Sequence, residues 1–172
     1  MVMRITNLFK KAMFILVAAL FACSVNAQEK GDMAAGLNLA YGTKDGFSNF
    51  GIGAKFQYNL TDAFRIEPSA TYFLKKDNVN MWDINANVHY LFHIGDSFVV
   101  YPLAGLTFVG WKVSAEWEGI GASVSETKFG ANLGAGAQYW LTSTFGLNFE
   151  VKYQIVSDLD RPIFSLGAVM KF

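Results

Sequence analysis

From residue 33 onward, apolar side chains recur at every second position in windows of about ten residues. Successive side chains of a strand leave opposite faces of the sheet, so this period marks β-structure. The clearest window sets Phe50, Ile52, Ala54, Phe56, Tyr58 and Leu60 against Asn49, Gly51, Gly53, Lys55, Gln57 and Asn59. A helix would scatter the two sets around its circumference.

Seven further windows repeat the pattern. Ala35, Leu37, Leu39 and Tyr41 oppose Gly36, Asn38 and Ala40, and Phe64 to Leu74 alternate with Arg65, Glu67, Ser69 and Thr71. Trp82 to Phe92 alternate with Asp83, Asn85, Asn87 and His89. A window near residues 98–108 is apolar on both faces, which leaves its register open. Phe129 to Tyr139 alternate with Gly130, Asn132, Gly134, Gly136 and Gln138, and Phe145 to Ile155 with Gly146, Asn148, Glu150, Lys152 and Gln154. The last window runs from Phe164 to Phe172 against Ser165, Gly167 and Lys171. Eight windows predict an all-β fold, an eight-stranded antiparallel up-and-down barrel.

Short turns are expected at 61–63, 93–97 and 142–144, with longer connections at 44–48, 75–80, 112–127 and 157–162. Short periplasmic turns and longer external loops are the habit of transmembrane barrels. A soluble, lipocalin-like barrel would share the period but turn its apolar face inward. The second face decides between them, because it is Gly, Asn, Gln, Ser and Thr with a few charges. An eight-stranded interior is just wide enough to be filled by side chains, and Phe, Leu and Tyr from every strand would overpack it. Aromatic residues also gather at strand ends, as at Tyr58, Phe64, Tyr90 and Tyr139 and again at Tyr41, Phe50, Trp82 and Phe164. They suit two interfacial girdles.

Residues 1–27 read as a cleaved signal peptide: Arg4, Lys10 and Lys11 precede an apolar stretch, and Val25-Asn26-Ala27 supplies small residues for cleavage. The barrel domain is then 28–172. Cys23 is the only cysteine, so cleavage after Ala27 leaves no disulfide. Leu20-Phe21-Ala22-Cys23 loosely resembles a lipoprotein box, which would lipidate Cys23 instead. Three of the 14 basic residues lie in the leader, leaving 11 against 14 acids. That balance speaks against nucleic acid as a partner.

The order and spacing of these windows resemble the small outer-membrane barrels typified by OmpA and OmpX. The end of the chain, Gly167-Ala168-Val169-Met170-Lys171-Phe172, is similar to the signal read by the barrel-assembly machinery, with Gly167, Met170 and Phe172 at the telling positions. Leu166 departs from it where a polar residue is usual. Tyr101-Pro102-Leu103-Ala104-Gly105 is similar to that family's fifth-strand segment. The resemblance implies an integral protein of the bacterial outer membrane, with outer-membrane lipid and the assembly machinery as partners.

The inward set contains Lys55, Arg65, Glu67, Asp83, His89, Glu150 and Lys152, and both signs occur on neighbouring strands. Buried charges must be paired, so a lumen network is expected, either plugging the barrel or lining a narrow ion path. No enzyme is expected: His89 and His93 are the only histidines, one in the lumen and the other in a periplasmic turn. Asp158 and Asp160 are too few ligands for calcium. No metal and no cofactor are expected. The 112–127 connection alternates on both sides of Gly119-Ile120-Gly121, so it predicts a hairpin above the membrane, with Trp111 and Trp117 marking an external loop. The reading is a monomer with a structural or surface-interaction role, such as adhesion or envelope maintenance. The alternative is a narrow, porin-like channel.

Overall fold

The computed structural model describes residues 29–117 and 120–172. The expected signal peptide, residues 1–27 with Cys23, lies outside them. The strands are β1 (Met33–Lys44), β2 (Phe47–Asn59), β3 (Phe64–Lys76), β4 (Val79–Tyr90), β5 (Phe92–Ile94), β6 (Phe98–Trp117), β7 (Ile120–Trp140), β8 (Phe145–Ile155) and β9 (Arg161–Lys171). Consecutive strands pair antiparallel, except β4 and β5, which do not pair with each other. β1 pairs with β9, and β4 and β5 both pair with β6, so the sheet closes. β4 and β5 form one stave interrupted at Leu91, which makes an eight-staved barrel.

Burial follows the alternation and inverts the usual order. Leu37 and Leu133 are 66% and 60% exposed on the outer face, whereas Arg65, His89, Gln138 and Gln154 are fully buried in the lumen. A soluble barrel would reverse this. Eleven to thirteen residues in most strands meet or exceed the ~9–11 that a tilted strand needs to cross a bilayer. Ring pairs ornament both rims: Phe64–Tyr90 and Tyr90–Phe92 at one, Tyr41–Phe50 and Phe108–Phe129 toward the other.

Three expectations are corrected. The connections at 44–48 and 75–80 are not long loops. The strands run on to two-residue turns at Asp45-Gly46 and Asp77-Asn78, all four in the left-handed region. Asp, Asn and Gly tolerate positive φ, which is what a tight hairpin with the strands' own twist requires. His93 lies not in a turn but in β5, where it faces inward and is buried; the turn is confined to 95–97. Trp111 lies not in a loop but in β6, on the same inward side as Val109, where it packs against an apolar cluster at the barrel mouth.

The window around residues 98–108 is apolar on both faces because its inward side chains build the lumen's apolar ends. Val99, Tyr101 and Leu103 pack with Leu91 near the periplasmic end. Val109 joins Ala40, Phe73, Met81, Val156 and Ile163 near the outer end. Polar groups occupy the middle of the lumen.

Candidate functional site

The centre of the lumen is organised around Lys55. Its Nζ lies 3.2 Å from Glu67 Oε1 on the neighbouring β3 and 3.0 Å from Glu150 Oε1 on β8, across the interior. With the Asn148 amide turned so that its oxygen accepts, Lys55 gains a third partner at 2.8 Å. The Tyr101 hydroxyl donates to Glu150 Oε1 (2.7 Å), and its ring stacks on His89 at a centroid distance of 4.5 Å. Arg65 lies against the same Tyr101 ring, 4.6 Å from the centroid.

Arg65 donates to His89 Nδ1 (3.2 Å from Nε), to Gln57 Oε1 (3.2 Å) and to Gln138 Oε1 (3.1 Å). A nitrogen that accepts from a guanidinium carries no proton, so His89 holds its hydrogen on Nε2 and is neutral. Gln57 in turn donates to Glu67 (2.8 Å). One continuous set of contacts therefore joins β2, β3, β4, β6, β7 and β8.

A second layer lies toward the outer end. Asn85 donates to Asp83 (2.8 Å), and Asn132 donates to Asn85 and Asn87 (2.8 and 3.0 Å). Gln154 donates to Asp83 (3.2 Å) and accepts from Arg161 Nε (3.3 Å). Arg161, which the alternation placed in a loop, opens β9 and is 3% exposed. Lys152 is buried one inward step from Glu150; among the described residues no ion pair reaches it.

Glu67, His89 and Glu150 bring ligand atoms within 4.8 Å of one another. Lys55 already bridges the two carboxylates, and Arg65 already occupies the histidine's accepting nitrogen. The cluster is satisfied by cations the chain supplies itself.

At the outer end the barrel is drawn out on one side. Pairing of β4 with β6 stops at Val79–Val113, and pairing of β7 with β8 stops at Ala131–Ile155. β6 and β7 remain paired with each other to Trp117–Ile120. Beyond their neighbours they form a two-stranded ribbon. Trp117 belongs to it by register; its side chain lies outside the described portion. At the ribbon's base, Lys128 contacts Asp158 at 2.9 Å in the 156–160 connection, and Lys44 donates to the Asp158 carbonyl (2.8 Å). The hydrogen bond from Lys128 holds the Asp158 carboxyl below its ordinary range.

The outward-facing apolar belt, the closed eight-staved sheet and the charged interior can now be set beside known proteins. A family model described as the outer membrane protein beta-barrel domain matches residues 14–172. The chain belongs to this family. Its place is the bacterial outer membrane. Among solved structures, Ail, the attachment invasion locus protein of Yersinia pestis, is 21% identical with a TM-score of 0.61, covering 83% of this chain and 99% of that one. The N-terminal β-barrel domain of Pseudomonas aeruginosa OprF is 20% identical with a TM-score of 0.61, covering 84% and 100%. Neisserial surface protein A is 19% identical with a TM-score of 0.64, covering 82% and 96%. At this identity they share the fold. No curated protein matches by sequence.

Gly167, Met170 and Phe172 lie on or at the end of β9, the strand that closes the barrel against β1. Gly167 faces inward opposite Asn38 and Asn148, and Met170 and Phe172 face outward, 59% and 73% exposed. The Phe172 amide donates to the Met33 carbonyl.

Proposed function

We propose that this protein is a closed-lumen barrel that anchors in the outer membrane and displays the β6–β7 ribbon for surface interaction. The observation that carries the reading is the ribbon itself. Its strands of 20 and 21 residues outrun every neighbour, which are 11–13 residues long apart from the short β5. An edge of unpaired amides and carbonyls above the membrane suits an extended partner segment. The lumen supports the closed half of the reading, because its central acids and cations satisfy one another across the interior rather than lining an open path. Catalysis finds no support in His89, which is stacked under Tyr101 and committed to Arg65. The Gly167, Met170 and Phe172 positions are assigned to recognition by the assembly machinery, and a monomer is the working state.

The Yersinia protein has been seen with the heparin analogue sucrose octasulfate. A polyanion is a poor fit for this chain. Its sequence carries seven acids, Asp45, Asp77, Glu116, Glu118, Glu126, Asp158 and Asp160, against five lysines, Lys44, Lys75, Lys76, Lys112 and Lys128, along the outer connections and ribbon. A protein or peptide edge is the better match.

Replacing residues 114–123 by a two-residue Asn-Gly turn would join Val113 directly to its partner Val124. Cells displaying this variant are expected to lose retention on protein-coated surfaces, while the purified barrel keeps its heat-modifiable gel mobility. Undiminished retention would remove the ribbon from the account.

A further inference from the structure

The outer mouth holds a cavity of about 310 Å³. Most of its wall is apolar, with Phe47, Val79, Met81, Trp111 and Leu159 above the buried Phe73 and Val109, and Thr43, Lys44 and Asp45 add one charge of each sign to the lining. For scale, a dry cavity of about 150 Å³ accommodates one benzene ring. Arg161 also lines it, with its guanidinium 4.3 Å from the Phe73 ring centroid. Nε donates to Gln154 and Nη1 to Asn49 Oδ1 (3.2 Å). Nη2 is buried with no acceptor among the described residues.

Charge points the same way. Buried in the lumen are four cations, Lys55, Arg65, Lys152 and Arg161, against three carboxylates, Glu67, Asp83 and Glu150. Glu67 and Glu150 are taken by Lys55, and Asp83 is linked to Arg161 only through the Gln154 amide. No carboxylate among the described residues forms an ion pair with Arg161. A buried charge without a partner is costly, and a guanidinium with a free N–H is a ready donor to an anionic oxygen.

We propose that the outer mouth is a binding site for a small amphipathic carboxylate, its acid group on the Arg161 guanidinium, which turns to present Nη2, and its hydrocarbon body among Phe47, Val79, Met81, Trp111 and Leu159. The anion would neutralise the surplus lumen charge while the apolar walls take the tail. Leu159 and the connection that carries it are tied down by Lys44 and Lys128, which forms one side of the site.

The test uses the folded barrel in nanodiscs at neutral pH, with three octyl probes: octanoate, 1-octanol and octylammonium. Binding is read from the Trp111 indole and Met81 methyl resonances. Octanoate is expected to saturate these shifts with an affinity about tenfold above that of 1-octanol, the worth of one charge-assisted hydrogen bond, and octylammonium to be the weakest. Arg161→Gln is expected to remove the octanoate preference and leave 1-octanol unchanged, whereas Val79→Phe, which narrows the cavity, weakens both. Should Arg161→Gln lose heat-modifiable mobility, the three-probe comparison on the native protein still decides. Equal binding of octanoate and 1-octanol, a preference for octylammonium, or shifts that never saturate would overturn the proposal.

Discussion

Replacing Lys55 with methionine is expected to destabilise the barrel by about 3–5 kcal/mol, the typical loss when one partner of a buried ion pair is removed. Lys55 is the ammonium between Glu67 and Glu150. Without it, two buried carboxylates face each other with no cation between them. Tyr101 would still donate to Glu150 and Gln57 to Glu67, but neither supplies charge. Glu67→Gln in the Lys55→Met background removes one of the stranded carboxylates. It should recover a substantial part of the loss, whereas the same change in the native protein should be harmful. That reversal of sign in urea unfolding from lipid vesicles is the signature of a coupled triad. Additive effects would mean that Lys55 acts as an independent group.

The second large effect is expected at the β4–β6 seam. Gly105 pairs with Asn87, and a Cβ there would collide with the Ala86 carbonyl oxygen and with Asn87, both parts of β4. The obstacle includes backbone, so no rotamer change relieves it. Gly105→Val is expected to cost about 3 kcal/mol, the upper end of ordinary overpacking, and to lower the urea midpoint accordingly. Ala104→Val, one residue earlier on the lipid-facing side, should leave the midpoint nearly unchanged. Equal midpoints for the two variants would show that the seam is looser than its register implies.

Much of this barrel was legible from the period of two. In β2, β3, β4, β7 and β8 the alternating sets divide into lipid-facing and lumen-facing side chains without a slip, because a one-residue error would turn a whole strand inside out. β6 resisted because Val99, Tyr101, Leu103 and Val109 serve apolar ends of the lumen, and alternation is silent where both faces are apolar. The outer connections misled for a related reason. Lys44, Asp45, Lys75, Lys76, Asp77 and Asn78 crowd the hairpin tips and resemble loop, yet the strands run on to the two-residue turns while their inward side chains Phe47, Val79 and Met81 stay apolar.

Seven ionisable lumen residues were readable from their parity alone, but their partners were not, since parity names a face and says nothing about reach across it. Arg161 was missed because Asp158, Asp160 and Pro162 around it look like a turn. It is nonetheless an inward residue of β9, and Gln154, Asn49 and Phe73 receive it. Its parity matches that of Ile163 and Ser165, and extending the last window by two steps would have found it.

The closed lumen is tested most directly by single-channel recording of the purified barrel in planar bilayers. The lumen network predicts silent membranes for the native protein at neutral pH. Discrete, reproducible openings of the native protein would contradict the closed lumen and make the narrow channel the leading function.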